Sequence, residues 1–403
     1  MFKKFLIKTG NWFKKSAKQK VPVWVFIVSV LLVISIVFGG SFLIVSNSKA
    51  TKTAKKIIEI DRLIQKNYID EIDYNKLDTT VLSAYMAAIE DKYAFYKSSE
   101  DAEAVSDSFD GNNSGIGVTV FFSDNKDALV VFRVDKDSPA DKAGIKVGDN
   151  IVAVDGTTVK KLGYEKSVTS IRRELGETVL LTLLRDGKEK KINVTFSEFV
   201  RQSVYTEKYG DLGYMCFTAF NSATVAQFKQ AISDFKEENV KGLIFDLRDN
   251  GGGTVDSVCK ILDVLVGECN LMTTEYSDGE RKVNYKSDKK DIDLPMTVLV
   301  NGDTASASEL FTANLRHQKN AKIIGDTTYG KGVVQRTYFL KDNSCIRFTV
   351  GKFYSSDNKC YDKIGIAPDY EVSFSNEELK NRYTLGKKDP YISKAIEVLK
   401  EGK

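Results

Sequence analysis

Hydrophobic and polar positions change their period along the chain, and the changes mark its parts. Residues 21–48 carry no charge, and from Pro22 to Val45 the run is almost wholly apolar (PVWVFIVSVLLVISIVFGGSFLIV). Twenty-four residues at helical rise cross a bilayer core. Apolar residues on every face argue against a helix buried in a soluble core. The pattern predicts a transmembrane anchor over 21–46, longer than an ordinary secretory leader, although Ser48-Lys49-Ala50 would also serve as a leader cleavage site. Residues 51–110 show helical spacing in KKIIEIDRLIQKNY and LDTTVLSAYMAAIEDKYAFY. The turn-rich run from Asp110 to Gly115 closes that helical region. Short strand patterns fill 112–198: IGVTVFF, ALVVFRV, NIVAVDG, TVLLTLLRDG and KEKKINVTF. Two helices interrupt them, one signalled by Pro139 at a first-turn position in DSPADKAG and one around YEKSVTSIRREL. Over 199–385 helices and strands alternate: ATVAQFKQAISDFKEE, KGLIFDL, TVDSVCKILDVLVG, MTVLV, ASELFTANLR, AKIIG. That rhythm predicts a largely parallel or mixed sheet covered by helices. The segment 386–403, with DPYISKAIEVLKEGK, predicts one exposed C-terminal helix.

Composition narrows the chemistry. The 403 residues suffice for two or three domains, and 42% hydrophobic with 28% charged residues is a globular balance. The formal charge of +4 comes from the tail, residues 1–20, which holds seven lysines and no acid. The rest of the chain carries 52 basic against 55 acidic residues, so no nucleic-acid partner is expected. The same lysines place the tail in the cytoplasm, and hence everything beyond the span at the extracytoplasmic side of a cell membrane. A single histidine, His317, cannot build a multi-histidine metal site. Five cysteines without a CxxC pair fit neither a zinc ribbon nor a complete disulfide framework. No metal and no cofactor are implied.

Three strand ends carry the candidate chemistry. Gly325 to Lys331 matches G-x-x-x-x-G-K, but Gly332 replaces the Mg²⁺-binding hydroxyl and VVQRTYFL continues as strand, which excludes a phosphate-binding loop. In MTVLV-NGDTAS-ASELFTANL, a strand ends at Val300 and a helix begins near Ser306. This context offers a hydroxyl at a helix N-terminus, suited to nucleophilic attack; Ser306-Ala307-Ser308-Glu309 equally fits a capping box. His317 lies eleven residues on, about 16 Å along a continuous helix, beyond reach as a base. A lysine or a carboxylate remains, and Lys331, in the turn Tyr329-Gly330-Lys331-Gly332 after the strand AKIIG, reaches the same sheet rim. The third strand end is GLIFDLRDNGGG, residues 242–253, whose glycines allow close backbone approach with exposed N–H groups.

Together, Asp246-Leu247-Arg248-Asp249-Asn250-Gly251-Gly252-Gly253, Thr304-Ala305-Ser306-Ala307-Ser308-Glu309 and Thr328-Tyr329-Gly330-Lys331-Gly332-Val333-Val334-Gln335 resemble the signature blocks of the carboxyl-terminal processing proteases, tail-specific serine peptidases with a Ser-Lys dyad. Gly115-Ile116-Gly117-Val118, with Ser138-Pro139-Ala140 and Gly148-Asp149, resembles their inserted PDZ domain, and Gly365-Ile366-Ala367-Pro368-Asp369 their closing block. The resemblance implies an α/β (α+β) protease core with an inserted PDZ domain, behind a helical N-terminal region. It implies Ser306 as nucleophile, Lys331 as general base and Gln335 as the partner orienting it, with Gly252 and Ala307 donating N–H groups to the oxyanion. The loop Gly115, Ile116, Gly117 and Val118 would capture the C-terminus of a protein or peptide substrate. Homo-oligomers are compatible with this organisation. The family usually has proline at Gly251, serine at Thr304 and, in many members, aspartate at His317; Asp91-Lys92-Tyr93-Ala94-Phe95-Tyr96 is a loose version of its helical cap motif. The competing class is a catalytically silent, membrane-tethered PDZ adaptor.

Overall fold

The computed structural model describes residues 49–102, 105, 112–123, 126–289, 291–381 and 385–401. The tail over 1–20 and the span expected over 21–46 lie outside these residues. Among the described residues no helix is long and apolar enough to cross a membrane. The chain divides into two compact units, Met1–Leu77 and Asp78–Lys403.

In the first unit, α1 (Lys49–Asn67) is followed by the start of α2 (Tyr74–Ala87). Gln65 Nε2 donates to Asp61 Oδ2 and to the Tyr74 hydroxyl, both at 2.8 Å. The helical reading of 51–110 is interrupted after α2 and holds again at 99–102. Asp91 Oδ1 accepts the Tyr93 N–H at 3.0 Å and turns the chain. The aromatic run that follows then forms β1 (Phe95–Lys97), which pairs antiparallel with residues 345–347. Aromatic side chains favour a pleated, half-buried surface once a partner strand is present.

The next segment is a small β domain: β2 (Asn112–Gly115), β3 (Val118–Ser123), β4 (Ala128–Val134), α3 (Pro139–Lys142), β5 (Asn150–Val154), β6 (Thr157–Thr158), α4 (Val159–Ile171), β7 (Thr178–Arg185), β8 (Lys188–Thr195) and β9 (Ser197–Val200). Its antiparallel sheet runs β3-β4-β5-β7-β8, with β6 on β5. Leu129, Val131, Ile151, Leu181 and Leu183 form its fully buried centre. α3 starts at Pro139, where the Ser138 hydroxyl accepts the Asp141 N–H. α4 begins earlier than its sequence signal, is broken at Gly163 (φ +72°), and stops at Ile171 because Arg172 is extended. β2 pairs with β9, Asn112 opposite Val200, so the segment leaves and rejoins the chain at one neck.

The larger part holds β10 (Val204–Tyr209), β11 (Leu212–Phe217), α5 (Ser222–Glu237), β12 (Gly242–Asp246), α6 (Val255–Leu265), β13 (Asn270–Tyr276), β14 (Arg281–Lys286), β15 (Met296–Val300), α7 (Ala307–Lys319), β16 (Lys322–Gly325), β17 (Val333–Phe339), β18 (Cys345–Tyr354), β19 (Tyr370–Glu371), α8 (Asn376–Asn381) and α9 (Pro390–Glu401). One sheet runs β10-β11-β12-β15-β16-β19, parallel except at β10-β11. A second, antiparallel sheet runs β1-β18-β13-β14, with β17 also on β18. The central strands of the first sheet are buried on both faces, which is why they read as unbroken apolar runs. Leu243, Phe245, Val298 and Val300 face α5, α6 and α7 in a core with Phe217, Phe228 and Phe311. Ile244, Leu299 and Ile324 face the other way. α9 covers that second face, which corrects the expectation of an exposed C-terminal helix: Tyr391, Ile392, Ala395 and Leu399 are buried against it. Their spacing is an apolar stripe on an otherwise charged helix.

Candidate active site

Because β12, β15 and β16 are parallel neighbours, the loops after them gather at one rim, as open α/β sheets require. Backbone and side chains then stitch the three loops together. Thr304 Oγ1 donates to Leu247 O at 2.8 Å, Ala305 N–H to Asn250 O at 3.1 Å, and Tyr329 N–H to Thr304 O at 3.0 Å.

Ser306 sits at the N-cap of α7 with φ +59° and ψ −116°. Glycine adopts this conformation freely at the first corner of a type II′ turn; in serine it stores about 1–3 kcal/mol of strain. Glu309 holds the strained residue in place. Its Oε2 accepts the Ser306 N–H at 2.8 Å, while its own N–H goes to Ser306 O at 2.9 Å. Ser306 and Glu309 form the capping box that S-x-x-E predicts, and because a capping hydroxyl only accepts there and keeps its proton to give, the capping reading and the nucleophile reading are compatible.

Glu309 reaches further than its own helix. It is fully buried. Oε2 also accepts the Lys331 N–H at 2.8 Å, and Oε1 accepts the Gly330 N–H at 2.7 Å and the Thr328 hydroxyl at 2.6 Å. One carboxylate oxygen therefore binds the backbone of Ser306 and of Lys331 together. Thr328 Oγ1 in turn accepts the Ile366 N–H at 2.7 Å, which ties in the 365–369 block.

Lys331 is half-buried. A Cβ on Gly332 would lie 2.5 Å from Asp362 N, and one on Gly330 2.9 Å from Gly365 N, so only glycine lets the loop pack this closely. Burial holds the Lys331 ammonium below its ordinary pKa, helped by the charges of Arg347 and Lys92 and opposed by Asp91 and Glu309. Lys331 Nζ lies 4.2 Å from the centre of the Tyr93 ring. Among the described residues no hydrogen bond joins it to the Ser306 hydroxyl.

Ser306, Ala307 and Gln335 line one cleft of about 540 Å³ with Gly253, Met272, Leu310 and Arg347. Ala307 N–H is the first donor of α7 and has no intrahelical acceptor. Gly252 packs directly on the nucleophile's turn, where a Cβ would lie 3.0 Å from Ser306 Cβ. Its N–H donates to Asn250 Oδ1 at 2.9 Å, whereas Gly253 lines the cleft. Gln335 Nε2 donates to Val333 O and Thr349 Oγ1, each at 3.4 Å, and not to Lys331. His317 is exposed near the far end of α7. Glu309 and Tyr93 are the residues that sequence reasoning did not assign to the site. The S-x-x-E spacing is a signal for Glu309; Tyr93 stands in the loose cap motif Asp91–Tyr96, which by itself does not point to the lysine.

In the small domain, Gly115, Ile116, Gly117 and Val118 line a second cleft of about 510 Å³ with Val168, Ile171 and Arg172 of the α4 region. Gly117 (φ +79°) admits no side chain, since a Cβ would meet Ser138 Cβ at 2.2 Å. The Ile116 and Gly117 carbonyls accept the N–H groups of Ala140 and Asp135, and since the N–H of a trans peptide points opposite to its carbonyl, the Gly117 and Val118 N–H groups point away from those partners.

The profile of peptidase family S41 matches residues 211–372, and that of the PDZ domain residues 114–196. The carboxy-terminal processing protease CtpA of Bacillus subtilis is 31% identical over 335 residues, 82% of this chain and 72% of that protein. The Staphylococcus epidermidis protein named "Probable CtpA-like serine protease" is 28% identical over 398 residues, 94% of this chain and 80% of its own. A crystal structure from Bacteroides fragilis assigned to the S41 proteases shares the fold, with a TM-score of 0.58 at 19% identity, covering 84% of this chain and 93% of that one. Loops, PDZ domain and relatives agree, and the chain belongs to peptidase family S41, as a serine-type carboxyl-terminal processing peptidase with a PDZ domain.

Proposed function

We propose that this peptidase is a membrane-anchored, extracytoplasmic endopeptidase that cuts near the C-terminus of protein substrates with a Ser306–Lys331 dyad. The observation that carries the reading is the single Glu309 oxygen bonded to both the Ser306 and the Lys331 N–H groups. Bonding both backbones to one acceptor fixes the spacing of the two loops, and Lys331 must turn from the Tyr93 ring into the cleft that Ser306 lines. In the reaction, Lys331 leaves the Tyr93 ring as a neutral amine and takes the Ser306 proton while Oγ attacks the scissile carbonyl. It returns that proton to the leaving amine, and a water activated the same way releases the acyl group. The Ala307 N–H donates to the developing oxyanion, joined by the Gly252 N–H once it leaves Asn250 Oδ1. Gln335 steadies the lysine in the engaged state. The Gly115–Val118 loop takes the substrate's terminal carboxylate through backbone N–H groups, and the apolar cleft takes its last side chain. The uncharged run at 21–46 after a lysine-rich tail supports the anchor and the outward orientation.

Cleavage of an unstructured C-terminal peptide by the wild type, and its loss in Ser306→Ala and Lys331→Ala with peptide binding retained, is the expected result. Peptide binding without cleavage by the wild type would instead identify the silent PDZ adaptor. Carbonate-resistant membrane association, with the C-terminal domain digestible by protease added outside cells, checks the topology.

A further inference from the structure

We propose that Tyr93 is a positioning residue for the reaction: its ring holds the Lys331 side chain as an ammonium, out of hydrogen-bond contact with Ser306, so that the base engages only on leaving the ring. The inference rests on Lys331 being the base, as proposed above. Lys331 Nζ lies 4.2 Å from the ring centre, inside the roughly 6 Å range of a cation–π contact.

The ring is held there from three sides. Asp91 Oδ2 accepts the Thr349 N–H of β18 at 2.7 Å, while Oδ1 accepts the Tyr93 N–H. The Ala94 N–H closes the turn on Asp91 O at 2.9 Å. Lys92 Nζ donates to the Tyr329 hydroxyl at 3.1 Å and lies 4.9 Å from both the Tyr93 and the Tyr329 ring. Lys92 and Tyr93 thus hold the loop that carries Lys331, while Asp91 ties their own turn to β18. The charged groups facing the lysine come from each neighbouring element: Asp91 and Lys92 from this segment, Glu309 from α7 and Arg347 from β18. Asp362 stands on the far side of the lysine loop, accepting the Gly332 N–H.

The charges nearly oppose one another, two cations against two carboxylates. The ring acts differently, because its quadrupole attracts the ammonium and does little for the neutral amine. Tyr93 therefore favours the resting, protonated lysine, against the burial that favours the amine. Removing the quadrupole without opening the site to water should lower the pH at which the amine forms.

The test uses the full chain labelled with ¹³Cε-lysine, the Lys331 resonance being identified by its loss in Lys331→Ala. Wild type, Tyr93→Phe and Tyr93→pentafluorophenylalanine are titrated. The last keeps the ring's volume and reverses its quadrupole. The Phe variant should keep the wild-type midpoint, and the fluorinated ring should lower it by about half a unit to one unit. Tyr93→Leu, which removes the ring but leaves an apolar cover, should move it the same way. The acidic limb of kcat/KM should follow, raising activity below the midpoint about three- to tenfold. A midpoint that stays put or rises with the fluorinated ring overturns the inference. A midpoint that falls while the kcat/KM limb does not move leaves Tyr93 as the holder of the ammonium and removes Lys331 as the base.

Discussion

Glu309 shows how a single side chain can define an active site without touching substrate. It lies fully buried and accepts four hydrogen bonds, from Ser306, Thr328, Gly330 and Lys331. Glu309→Gln replaces one oxygen by an NH₂ group that accepts nothing. In place of Oε2 it leaves the Ser306 and Lys331 N–H groups facing a donor; in place of Oε1 it leaves the Gly330 N–H so, while the Thr328 hydroxyl can turn to accept. The expected cost is about 3 kcal/mol of stability, measured by chemical denaturation. A fall in Ser306 labelling by a serine-directed probe should accompany it in the variant that remains folded at low temperature. Lys331 makes the opposite prediction for stability. Its folded pKa is depressed below the unfolded value, chiefly by burial. Below the depressed pKa both states carry the proton and the cost of a buried ammonium is fully present. As pH rises from there toward about 10.4 the unfolded chain binds more protons than the fold, and stability is regained. Lys331→Met, close in volume, should abolish turnover and be more stable than wild type at neutral pH. That advantage should shrink as melting is followed into the alkaline range. Wild-type activity should rise with pH over the lower part of the same window.

At the scale of elements, the loops depend on glycines whose Cβ positions are already occupied. Gly332→Ala would press a methyl to 2.5 Å from Asp362 N, backbone that cannot step aside, so the lysine loop must shift. Peptide cleavage should drop by at least tenfold while far-ultraviolet circular dichroism stays unchanged. α9 is a structural counterpart: Leu399 is buried on the sheet face with Ile244 and Leu299, and Leu399→Ala should cost about 2–5 kcal/mol. Buried parallel strands such as MTVLV and KGLIFDL, and the amphipathic α5 and α6, were legible in the sequence because burial on fixed faces writes itself as period. Arg281–Lys286 was not: β14 is an exposed edge with no apolar face to display. α9 was misread as exposed because its four buried residues stand among lysines and glutamates. β1 was read as helix because the pairing that makes Phe95–Lys97 a strand lies with residues 345–347. In the site, residues on the three strand ends could be read from local motifs. The Glu309 bonds to 328–331 and the Tyr93 contact with Lys331 arise only when distant segments fold together.

At the scale of the whole unit from Asp78 onward, the PDZ domain is joined by one neck and also packed on the core. The neck is the β2–β9 ribbon, with Asn112 opposite Val200, so joining these two residues directly removes the domain without straining the remaining chain. Every residue of the proposed dyad lies outside the excised segment. Ser306 in the excised protein should therefore still react with a small serine-directed probe, while cleavage of peptides selected by their C-terminus should fall. The packing makes a second, independent reading possible. The Tyr205 hydroxyl donates to Asp135 Oδ1 at 2.8 Å, the Arg133 guanidinium lies 4.8 Å from the Tyr205 ring centre, and Arg133 Nη2 donates to Cys216 Sγ at 3.6 Å. Burial pushes the Cys216 thiol up to about 12, which keeps it inert at neutral pH. Excision takes away Asp135 and Arg133 and admits water beside Cys216. Entering water should bring its thiol pKa down toward the ordinary value of about 8.5, against the smaller opposing loss of the Arg133 charge, which lowers it in the intact chain, and one additional thiol per chain should react with iodoacetamide. Probe labelling retained together with this new thiol reactivity means the core stands alone with its PDZ-facing surface bared. Loss of labelling in a chain that still melts cooperatively would mean that the PDZ domain itself holds the catalytic loops in register.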